Sequence, residues 1–166
     1  WSVQDDAIQY DDRTSYAEEP LENLKAIDWN NVDIITIGYC TNDWGGNKQL
    51  DNSNNIYDTT TLGGAFRYSL DKILTAYPHI RIVTLGAIYR TKLDSSNEFV
   101  EDSDTWLNDI GLLLSKYNDK LKEICEKYHI EYLDNMNIGF NKFTRLEFYP
   151  VSNGTHPNVK GLDVYA

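Results

Sequence analysis

The sequence predicts an α/β fold, a three-layer α/β/α sandwich built around a mainly parallel sheet. Short β-branched runs ended by glycine alternate with segments whose apolar residues recur at steps of three and four. Strands that alternate with helices of this length call for parallel pairing through right-handed crossovers. With 166 residues the chain can bury one core, and it reads as a single domain over residues 1–166.

The elements follow in order. Residues 32–38, Val-Asp-Ile-Ile-Thr-Ile-Gly, predict a strand buried on both faces. Residues 47–55, rich in Asn, Asp and Ser, predict a surface loop. Over residues 62–77, Phe66, Leu70, Ile73, Leu74 and Tyr77 form the stripe of a helix packed on a sheet, and Pro78 stops it. A second strand is predicted over 80–87. Trp106, Ile110, Leu113, Leu114, Tyr117, Leu121, Ile124, Cys125 and Tyr128 keep helical period, which predicts a long helix capped by Ser103 or Asp104 and ending at 128 or 129. A short strand follows over 130–133, then an irregular stretch over 134–152 rich in Asn and aromatics, of the kind that often carries function. The start of a last helix is expected over 161–166. The first 20 residues are acidic and Tyr-rich with little periodicity, and read as an extended segment whose folded context lies outside the chain. In parallel sheets, sites lie at the carboxyl ends of the strands.

Composition excludes several classes. A net charge of -11, with 15 basic residues that do not cluster, opposes binding to nucleic acid. No apolar run approaches the ~20 residues of a transmembrane helix, and the N-terminus lacks the basic and apolar parts of a signal peptide. Cys40 and Cys125 lie far apart with no Cys/His cluster nearby, so both read as buried small hydrophobes, with neither a disulfide nor a zinc site expected.

Two loops could carry chemistry. Gly38-Tyr39-Cys40-Thr41-Asn42-Asp43-Trp44-Gly45-Gly46 follows the first strand. The Asn42 amide there could donate to a developing oxyanion, or the stretch could simply be a turn. The second loop is Asn153-Gly154-Thr155-His156-Pro157-Asn158. His156 suits proton transfer near neutral pH if a partner such as Asn153 fixes its tautomer, although a lone histidine in a Gly/Pro loop is commonly just exposed. His79 and His129 each end an element and read as surface histidines. Phe140, Phe143, Phe148, Tyr149 and Trp44 could line an acyl or sugar pocket, or could be packing.

The order of these loops on an α/β chain resembles the SGNH hydrolases, also called GDSL-type lipases and esterases. Cys40-Thr41-Asn42-Asp43 is similar to the family's Gly-x-Asn-Asp block, and Asn153-Gly154-Thr155-His156-Pro157-Asn158 to its Asp-Gly-x-His-Pro-Asn block. The resemblance covers nearly the whole chain and implies a flavodoxin-like fold and serine-type ester hydrolysis without metal or organic cofactor. It casts His156 as general base, Asn42 as oxyanion donor and Asn153 as the residue in the triad-aspartate position. The family's Gly-Asp-Ser block is missing, as is the glycine of its second block, so the nucleophile is expected upstream and the domain is read as truncated at both ends. These residues alone are then expected to be inactive. Cys40 replaces a glycine. Asn153 replaces the aspartate, and Asn-Gly is prone to deamidation. Asn153-Gly154-Thr155 also matches a glycosylation sequon, read as incidental so close to a catalytic histidine. The substrate implied is a small ester, with O-acetylated carbohydrate as one candidate. The alternative is a non-catalytic carbohydrate-binding or structural module on the same fold. A flavodoxin-like phosphate-binding domain is weaker still, since residues 41–47 lack the glycine spacing of a phosphate cradle.

Overall fold

The structure, a computed structural model, describes residues 23–165, and the acidic stretch over residues 1–20 lies outside them. From strand β1 (Ile34–Gly38) the chain passes through short helix α1 (Thr41–Gly45) and long helix α2 (Leu62–Ala76) to β2 (Arg81–Leu85). A hairpin of β3 (Thr91–Leu93) and β4 (Phe99–Asp102) precedes helix α3 (Leu114–Tyr128) and β5 (Glu131–Leu133). Short helices α4 (Arg145–Phe148) and α5 (Val159–Tyr165) follow.

The main sheet has the order β1-β2-β5, and both pairings are parallel. Parallel neighbours require long crossovers, and α2 and α3 supply them. Ile35 pairs with Ile82, and Ile37 with Thr84, which puts alternate residues on one face. There Ile35, Ile37 and Ile82 join Phe66, Leu70 and Ile73 of α2 and Leu114, Leu121 and Ile124 of α3 in one core. The mixed α/β class with a mainly parallel sheet is thus as the periodicity predicted. The Thr61 hydroxyl caps α2 by accepting from the Gly64 N–H at 3.1 Å.

Two expectations change, and one element is new. Residues 32–38 were expected to be buried on both faces, yet Ile34 is 58% exposed. Among the described residues β1 is an edge strand, so a hydrophobic run alone did not fix how many sides are covered. The helix expected from Ser103 or Asp104 begins only at Leu114. Gly111 sits at φ +78°, Asn108 closes a turn by exchanging hydrogen bonds with Leu112, and Trp106 packs edge-on against Trp44 with ring centroids 4.7 Å apart. Tertiary contact therefore takes Trp106 and Ile110 out of the helical register that their spacing suggested. The β3–β4 hairpin had no expectation at all. The Asp94 carboxylate accepts from the N–H groups of Ser96 and Glu98 at 2.8 and 3.0 Å, and Asn97 takes φ +65°. Polar side chains that bond their own backbone make such a turn without an Asn-Gly signal.

Cys40 and Cys125 are free and buried, as expected. Burial pushes the Cys40 thiol up to about 12. Cys40 should therefore resist a thiol reagent at pH 8 in the native protein and react on unfolding; fast labelling of Cys40 without urea would contradict this. Among the described residues no helix is long and apolar enough to cross a membrane.

Candidate active site

The site forms where β1 and β2 deliver their carboxyl ends. After Gly38 the chain turns at Cys40, whose backbone has φ +87° and ψ -26°, a left-handed conformation that glycine adopts without cost. Here the side chain is held instead. The Cys40 Sγ–H donates to the Asn118 Oδ1 at 3.2 Å, and the same oxygen accepts from the Ala87 N–H at 2.8 Å. Asn118 Nδ2 donates back to the Ala87 carbonyl at 3.1 Å. One buried amide from α3 thus clamps the loops leaving both strands, much as a neighbouring strand would. Asn118→Ala would leave the buried Ala87 N–H and C=O unpaired and should lower stability by about 2 to 4 kcal/mol. An unchanged urea midpoint would refute that.

The histidine loop is fastened from the hairpin. Thr91 N–H donates to the Gly154 carbonyl at 2.8 Å, and a Cβ on Gly154 would lie 2.2 Å from the Thr91 carbonyl oxygen. Glycine is required at 154 by this close approach. Asn153 Oδ1 accepts from the backbone N–H groups of Thr155 at 2.8 Å and His156 at 2.9 Å, which folds the loop into a tight turn. The His156 side chain is exposed, and its imidazole makes no hydrogen bond among the described residues. The structure therefore gives Asn153 a backbone role and leaves the histidine ring unoriented.

Arg90 links the two loops. Its Nη1 donates to the Thr41 hydroxyl at 2.8 Å and its Nη2 to the Thr155 hydroxyl at 3.1 Å. The guanidinium lies 5.2 Å from the Trp44 ring and 5.7 Å from the Trp106 ring, so two indoles hold its plane. The residues converge on a cavity of about 230 Å³, whose lining includes Tyr39, Thr41, Arg90, Thr155 and His156. Leu85, Ala87, Ile88, Pro157 and Leu162 supply apolar wall.

The structure brings His156 and Thr41, the neighbour of Asn42, to one cavity. Asn42 itself has an exposed side chain outside the lining. None of the five aromatic residues singled out in the sequence lines it. Phe140 and Tyr149 are buried in a second apolar cluster with Tyr89, against which Phe148 packs, Trp44 is in the main core, and Phe143 is 87% exposed. Packing, the second reading offered for these rings, is what Phe140, Phe148, Tyr149 and Trp44 do, while Phe143 does neither. Arg90 and Tyr39 were missed as site residues, although Tyr39 stood inside the first block and Arg90 follows the end of β2 by five residues. His79 and His129 are exposed. Among the described residues no group of three His, Cys, Asp or Glu could hold a metal ion.

This α/β fold with a mainly parallel sheet is similar to those of several solved structures. A solved structure from Lactobacillus plantarum, a structural-genomics target, superposes with a TM-score of 0.69 at 22% identity, over 86% of this chain and 66% of its own. Another matches with a TM-score of 0.67 at 23% identity, over 86% of this chain and 64% of its own. A possible lipase from Chitinophaga pinensis gives 0.60 at 19% identity, over 87% and 74%. The chain thus spans about two thirds of the length of the first two, and at these identities the likeness establishes the fold alone. No family model and no curated protein matches the sequence.

Proposed function

We propose that this domain is a serine-type ester hydrolase of the SGNH kind, transferring an acyl group to water, with a small or carbohydrate-linked ester as substrate. The observation that carries the reading is that Thr41, next to Asn42, and the Thr155–His156–Pro157 loop line one cavity at the carboxyl ends of parallel strands. Likeness in fold to a possible lipase is in keeping with it. No serine lines that cavity among the described residues, so the nucleophile is assigned to a serine brought in from outside residues 23–165.

In the proposed reaction the serine oxygen attacks the ester carbonyl while His156 accepts its proton. Asn42, a glycine from outside these residues and a backbone amide hold the oxyanion. His156 then protonates the leaving alcohol, and water releases the acyl group by the same route. The test is to extend the chain with the coding sequence upstream of Trp1 and assay p-nitrophenyl acetate. The extended protein should turn over and the 166 residues alone should not. Absence of a strand followed by Gly-Asp-Ser in that upstream sequence would sink the hydrolase reading. The unoriented imidazole favours a second reading, a non-catalytic carbohydrate-binding or structural module on the same fold. An extended protein that binds sugar esters without turnover would select it.

A further inference from the structure

Arg90 has more binding capacity than the protein uses. A guanidinium carries five N–H donors. Nη1 serves the Thr41 carbonyl at 3.4 Å and the Thr41 hydroxyl at 2.8 Å, and Nη2 serves the Thr155 hydroxyl at 3.1 Å. Nε–H is buried with no acceptor, and Thr155 takes one of the two hydrogens on Nη2, leaving the other. None of the three acceptors is charged. The chain holds 26 acidic residues, yet among the described residues no carboxylate forms an ion pair with Arg90. Burial holds its pKa below the ordinary guanidinium value, and no carboxylate offsets that. The Trp44 and Trp106 rings attract the cation but give its N–H edge nothing to donate to.

We infer that the ester this cavity takes carries a carboxylate, and that Arg90 receives it. Arg90 lines the cavity, and its unpaired positive charge and the Nη2 hydrogen that Thr155 does not take are what it offers to a carboxylate there. A protein of net charge -11 admits an anion only where a local cation faces it. The apolar wall of Leu85, Ala87, Ile88 and Leu162 takes the uncharged part of the molecule, and His156 stands in the same cavity for the ester group. At about 230 Å³ the space is below the ~300–1,000 Å³ of sites for drug-sized ligands, which suits a short ester. O-Acylated acidic sugars and monoesters of small dicarboxylic acids share this chemistry.

The inference rests on reading the cavity as an ester site, so its test reads binding without turnover. The 166-residue chain is titrated with monomethyl succinate and with the neutral dimethyl succinate, following the amide resonances of Arg90, Thr155 and His156 by NMR. The monoester should bind about tenfold more tightly than the diester, the scale of a charge-assisted hydrogen bond. That preference should shrink in about 0.5 M salt, where charges are screened. Arg90→Gln should bring it to about one, and Arg90→Lys should keep part of it. No binding of either ester, no preference in the natural protein, or a preference that survives Arg90→Gln would overturn the inference. Equal loss of both esters in Arg90→Gln would assign Arg90 to holding the loops alone and overturn it too. If the monoester binds but the extended protein hydrolyses nothing, the hydrolase reading falls and the anion site stands. If the extended protein hydrolyses neutral esters and charge makes no difference to binding, the reverse holds.

Discussion

On the proposed hydrolase reading, Asn153→Asp in the upstream-extended protein should raise turnover by up to about 10⁴, the factor by which the opposite change lowers it in a serine protease triad. The reason is the number of acceptors. A carboxamide has one acceptor oxygen, and its NH₂ only donates. Asn153 Oδ1 already takes the N–H groups of Thr155 and His156 at 2.8 and 2.9 Å. What remains for the imidazole is a donor, which would favour the tautomer protonated on Nε2 and leave no lone pair for the serine proton. An aspartate keeps both backbone bonds with one oxygen and offers the other to Nδ1–H. Its charge also stabilises the imidazolium that forms. The measurement is kcat on p-nitrophenyl acetate for both proteins, with mass spectrometry of the peptide over residues 146–160, because deamidation of Asn153-Gly154 would supply the aspartate unasked. Equal kcat values on undegraded protein would mean that another group orients His156, or that it is not the base.

His156→Ala is expected to cost far more in the Asn153→Asp background than in the natural one. In subtilisin, loss of the triad histidine costs about 10⁶ in kcat, as much as loss of the whole triad. If Asn153 has already forfeited about 10⁴ of that, removing His156 from the natural protein costs only about 10². Residues that act as a unit are not additive, and the difference between backgrounds measures their coupling. Stability should stay within about 0.5 kcal/mol, because the His156 side chain is exposed and makes no hydrogen bond among the described residues. Equal losses in both backgrounds would show that Asn153 and His156 do not work together, and no loss in either would remove His156 from the mechanism.

The same two loops show how far the residues alone could be read. The spacing in α2 and the β-branched runs of β1 and β2 were legible because helix and strand periods are local properties of a chain that buries one face. Trp106 and Ile110 misled for the same reason: they fit the helical period, but contact with Trp44 and the turn at Asn108 outweigh propensity there. Cys40 was visible as a residue in a glycine position. Only the structure shows the φ of +87° that makes the position special and the Asn118 amide that holds it.

By itself the sequence determined the fold class, the order of the main strands and helices, and the two loops worth testing, since each follows from residue type and near-neighbour spacing. Tertiary structure alone decided that β1 lies at an edge among the described residues, that Phe140, Phe148 and Tyr149 pack rather than line a pocket, and that Asn153 spends its one acceptor on its own backbone. It also decided that Arg90 spans the loops across 49 and 65 residues of sequence with donors to spare. Such contacts depend on which distant groups compete for the same oxygen or the same ring, and no local pattern records that competition.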